Sequence, residues 1–141
     1  MNRARPGTAA ALAVLVTAVC SALSSTWTRS GHDPLPLPWT APAVTALTAA
    51  VLVPAGLRVR RHVTGPLTAA RTAVLAVSCV HAGAVLAGWY LGQALALLPD
   101  LVGQRRTLFV LGLLGAVAGT ALSAAGLLVQ RWCALPPPDG R

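Results

Sequence analysis

The chain has 141 residues, 55% of them hydrophobic and 10% charged, with eleven arginines, three aspartates, no lysine or glutamate, and a formal net charge of +8. So few charged side chains cannot wet the surface of a soluble domain, in which about 25% of residues are charged. The arginines lie at the edges of apolar blocks and not along one polar face, so the charge does not point to nucleic acid; blocks of about 20 apolar residues are the stronger signal.

Four uncharged stretches are each long enough for a helix to cross about 30 Å of hydrocarbon at 1.5 Å per residue. The first spans 8–27, "TAAALAVLVTAVCSALSSTW". A basic start, an apolar run and Ala22-Leu23-Ser24 also give residues 1–24 the outline of a cleavable signal peptide. The run continues to Trp27, a residue suited to the membrane interface, which favours a retained helix. The link "SGHDPLPLPW" follows, and its alternating Pro34, Pro36 and Pro38 predict an extended strut. The second stretch is 39–57. Pro42 falls in its first turn, where no backbone donor is lost, and Pro54 predicts a kink near its end.

The segment 58–71 reads as a basic loop broken by Gly65-Pro66. Arg58, Arg60, Arg61 and Arg71 lie in it. Positive segments resist translocation, so arginine-rich connections stay cytoplasmic. With both termini inside, eight arginines fall on inner segments and three, Arg29, Arg105 and Arg106, on outer ones. The loop therefore reads first as a topology determinant and second as a surface for anionic lipid. The same orientation brings Trp27, Trp39, Trp89 and Tyr90 to the outer interface and Trp132 to the inner one.

The third stretch spans 72–98, with its membrane part expected over about Thr72 to Gly92, and Pro99 ends it. The fourth spans 107–130. Gly112, Gly115, Gly119, Ser123 and Gly126 recur there at spacings of three and four, within about 80° of one helix face. Small residues let helix backbones approach closely in lipid. Gly83, Gly88 and Gly92 give the third helix a similar patch, with Ala84 and Ala96 beside it, so helices three and four are expected to pack together; a seam between copies is the alternative.

His81 is the one ionisable side chain, other than cysteine, deep in a span, and such groups are candidate functional sites. Its helical angle groups it with Ser78, Ala84, Gly88 and Gly92, on a face expected to be buried. Asp33, Asp100 and Asp139 all lie outside the spans. A proton relay therefore lacks partners, and a neutral histidine donating one hydrogen bond across helices is the better reading. Cys20, Cys79 and Cys133 have no metal-ligand spacing, and the chain carries no phosphate-binding glycine loop, HExxH or GxSxG motif. No metal or cofactor is expected.

"PLPW" before helix two, the basic loop ending "GPLTAAR", "AGAVLAGWYLG" in helix three and the terminal "VQRWCALP" resemble a family of small actinobacterial membrane proteins defined by a domain of unknown function. The likeness runs from Pro34 to Pro136 and is most specific in helix three. It implies a multi-helix membrane protein whose gene lies near folate-biosynthesis genes, and it supplies no catalytic residues. The family pattern has an acid at Gln130 and a base at Ala134, and this chain has neither.

Together these features predict an all-α integral membrane bundle of four transmembrane helices in one domain. The expected location is the plasma membrane, with the lipid bilayer as surroundings. The expected role is an accessory or scaffold subunit without enzyme activity, packed against itself as a homo-oligomer or against a larger membrane-protein partner. The alternative is an oligomeric small-solute transporter or channel. Its path would have to use His81, Ser78, Thr17, Thr45, Thr48, Thr120 and Ser123.

Overall fold

The computed structural model describes residues 6–31, 38–61, 66–99 and 102–133, with four helices and no strand among them. These are α1 (Pro6–Arg29), α2 (Thr40–Arg60), α3 (Pro66–Leu97) and α4 (Gln104–Trp132). Each is long and apolar enough to cross a membrane. In hydrocarbon every backbone N–H and C=O must be satisfied within the protein, and a continuous helix does this locally.

The helices outrun the uncharged stretches at most ends, because a charge does not stop a helix that leaves the bilayer. The basic loop predicted over 58–71 is largely helical: Arg58 and Arg60 close α2, and Arg71 lies inside α3, which starts at Pro66. Proline at a first helical position loses no hydrogen bond. The Gly65 half of the expected break, and the 34–36 prolines of the strut, lie outside the described residues. Pro54 is accommodated within a helix that continues to Arg60. Gly31, with φ 80°, turns the chain out of α1, and Gly103, with φ 59°, precedes α4; both conformations suit glycine.

α3 and α4 form the broadest interface and run antiparallel, with Ala76 beside Gly126 and Ala94 beside Gly112. α1 packs on α3 and runs parallel to it, with Ala9 against Val80 and Ala84 and Thr17 against Gly92. α2 packs mainly on α4, also parallel, with Gly56 against Val129. The sequence neighbours α1 and α2 form no interface comparable to these. They are also staggered along the bundle. α1 begins near the level of Val80, whereas Leu52 of α2 shares a core with Ala76 and Cys79. The main core, Ala49, Leu52, Ala76, Cys79, Leu122, Ala125 and Val129, lies where α2, α3 and α4 meet.

Candidate functional site: the small-residue seams and the outer side of α3

The α3–α4 seam is built from absent side chains. A methyl group placed on Gly119 would stand 2.6 Å from the Ala87 nitrogen and 2.9 Å from the Gly83 carbonyl oxygen. On Gly83 it would meet the Gly119 carbonyl oxygen and the Ser123 nitrogen, each at 2.6 Å. On Gly126 it would meet the Ala76 carbonyl oxygen at 2.7 Å. The two backbones touch, and only glycine permits this approach. Gly112 lies over Ala94 and the Tyr90 carbonyl, and the Tyr90 ring fills the space that Gly115 leaves. Ser123 adds a bond across the seam, its hydroxyl donating to the Val80 carbonyl at 2.7 Å.

Gly88 and Gly92 do not join this seam. A methyl group on Gly88 would stand 2.6 Å from the Ala13 carbonyl oxygen, and one on Gly92 would stand 2.7 Å from the Cys20 Cβ. They hold α1 instead. α3 therefore carries two small-residue faces, one for each neighbour. The spacing of its glycines shows that close contacts exist but not which helix makes them.

Tyr90 and Trp89, neighbours in sequence, point to different surroundings, Trp89 outward and Tyr90 into the bundle. Gly88, next to Trp89, contacts Val16 and Thr17, halfway along α1. Tyr90 is buried at 5% exposure and belongs to the interior. Trp27, Trp39 and Trp132 stand at helix ends.

His81 departs most from expectation. Ala84, Gly88 and Gly92 are buried as grouped, but His81 and Ser78 are exposed. The stagger of α1 accounts for this: its first buried residue, Ala9, packs with Val80 and Ala84, so its cover ends beside His81. The ring makes no bond to another helix; Nδ1 lies 2.9 Å from the Val77 carbonyl oxygen of its own helix.

The hydroxyls proposed for a solute path are also satisfied locally. Thr17 donates to Ala13, Thr45 to Ala41, Thr48 to Val44 and Thr120 to Ala116, all carbonyls one turn back. Such back-bonding removes a hydroxyl from the inventory of free polar groups. Among these candidates Ser123 alone bonds to a different helix.

Arg58, Arg60, Arg61 and Arg71 are all exposed and belong to one end of the bundle. The Arg60 guanidinium lies over the Trp132 ring, 5.7 Å from its centroid, tying the last turns of α2 and α4. Cys133 follows directly, and burial pushes its thiol above the usual range. Gln130, seven residues after Ser123, lies outside the set of sites that the sequence pattern predicts. Its Oε1 is buried with no hydrogen-bond partner among the described residues. The three-and-four spacing of the α4 stripe extends to it and carries the signal.

The described residues hold no group of three or more His, Cys, Asp or Glu side chains placed to share a metal ion. No curated protein and no solved structure matches the chain. A family model described as a protein of unknown function matches residues 10–137. The chain, a four-helix bundle with every helix apolar enough to span a bilayer, belongs to that family, DUF3180.

Proposed function

We propose that the protein is a non-catalytic accessory or scaffold subunit of a membrane assembly, in the plasma membrane with both termini cytoplasmic. The observation that carries this reading is how the interior is used. Backbones in contact fill the α1–α3 and α3–α4 seams, and the mid-span hydroxyls bond to their own helices or to the neighbouring one. Such an interior serves to hold a shape, and binding then falls to the outer faces and the arginine-bearing end. Arg58, Arg60, Arg61 and Arg71 set the orientation and meet anionic lipid headgroups. The family resemblance described above adds an actinobacterial setting and a folate-gene neighbourhood to this proposal.

The test is purification of the tagged protein from its own membranes in mild detergent, with mass spectrometry of what accompanies it. The expected result is a second membrane protein in stoichiometric amount. Recovery without one, together with solute flux into proteoliposomes that is lost in His81→Ala, would replace this reading with that of a carrier or channel.

A further inference from the structure

The side of α3 turned away from α4 presents Val74, Ser78, His81, Ala82, Val85 and Trp89, all of them exposed. His81 lies midway along α3, at the level where Val80 contacts Ala9 of α1 and Ser123 of α4. Ionisable side chains in a span almost always face protein or a water-filled cavity. Among the described residues of one copy, this histidine faces neither. We propose that a second copy covers this face, pairing α3 with α3 about a two-fold axis along the membrane normal.

The face is complementary to itself. His81 Nδ1 lies 2.9 Å from the Val77 carbonyl oxygen, which can only accept, so in the tautomer that makes this bond Nε2 is left as an acceptor. Ser78, one turn earlier on the same side, holds only a long bond to the Val74 carbonyl, at 3.2 Å. Its hydroxyl can turn to a better acceptor. Side chains on a helix lean toward its N-terminus, which brings the His81 ring down to the depth of Ser78. In a parallel pair the ring of each copy therefore meets the Ser78 hydroxyl of the other, and the contact forms twice, as a two-fold interface requires. An antiparallel pair would set these groups at different depths. Ser78 and Ala82, four residues apart, supply the small pair that lets two helices approach. Arg71 continues the stripe toward the headgroups, where like charges end the close contact. The proposal does not depend on the accessory role: the pair forms with or without a second kind of subunit.

Cysteine cross-linking in native membranes tests it. In a background with Cys20, Cys79 and Cys133 replaced by alanine, Ala82→Cys and Val117→Cys are oxidised in parallel. Val117 is 66% exposed on α4 and serves as the control. The expected result is a band of twice the monomer mass for Ala82→Cys and none for Val117→Cys. In detergent, purified His81→Leu should keep its helical signal while self-association weakens about threefold to twentyfold, the range of one to two hydrogen bonds between membrane helices. The proposal is overturned by a wild-type protein that stays monomeric across the detergent dilution series. It is equally overturned if Val117→Cys cross-links as readily as Ala82→Cys, or if Ala82→Cys joins a different protein instead of itself.

Discussion

At the scale of single residues, the glycines of this bundle are not interchangeable, because what each would strike differs. Gly119 faces backbone atoms of α3, which cannot move aside without opening the seam. Gly119→Ala should therefore cost about 1–3 kcal/mol, the usual range for overpacking a tight interior, read as a lowered unfolding midpoint in detergent. Gly7 has nothing within reach of an added methyl. Gly7→Ala should leave the midpoint unchanged or raise it by up to about 1 kcal/mol through helix propensity. Cys133 gives a pH signature. Its pKa is raised by burial, so less of it is thiolate at neutral pH than in a cysteine titrating near about 8.5. Maleimide labelling in opened vesicles should be slow at pH 7 and climb by about tenfold per unit through pH 8.5 and above, because the thiolate is the nucleophile. A rate that levels off below pH 8 would contradict that environment.

At the scale of elements, α1 is held through one face of α3. Gly88 and Gly92 bring its backbone close, and Val14, Leu15, Val19 and Leu23 remain exposed. Gly88→Val with Gly92→Val should release α1 while leaving the α2–α3–α4 core intact, read as new protease sensitivity confined to the first helix. Loss of the whole fold would show that α1 is integral to the core. The existence and number of helices were legible because an uncharged apolar run of spanning length is stable chiefly as a helix in a bilayer. The α4 stripe was legible for a similar reason, since glycine at three-and-four spacing in lipid has little use except contact. The helix ends were not, because Arg58, Arg60 and Arg71 mark a loop by their charge and yet lie in helices that continue past the apolar run. The packing of α3 on α4 was legible from their small-residue stripes, but the placement of α1 was not. Gly88 and His81 lie close together on the α3 wheel, yet one is buried and the other exposed. The deciding quantity is where α1 begins along α3, which depends on a crossing geometry that periodicity does not encode.

At the scale of the whole molecule, the arginine-bearing end makes a prediction about sidedness. Cys133 lies beside Arg131 and Trp132 at that end, whereas Cys20 and Cys79 are buried within the helices. A membrane-impermeant thiol reagent should leave Cys133 unmodified in intact cells and label it once the membrane is opened; labelling in intact cells would invert the proposed orientation. The pairing of the helices also has a consequence in time. A chain is made from its first residue onward, and domains assemble as their parts emerge. Here α1 must wait for α3, and α2 must wait for α4, because the two earliest helices have no broad interface with each other. Until α3 is synthesised both stand in the bilayer without their main partners, and α2 stands so until α4 follows. A chain cut short after α2 should therefore insert but never assemble, and it would present the quality-control proteases of the membrane with two solitary helices.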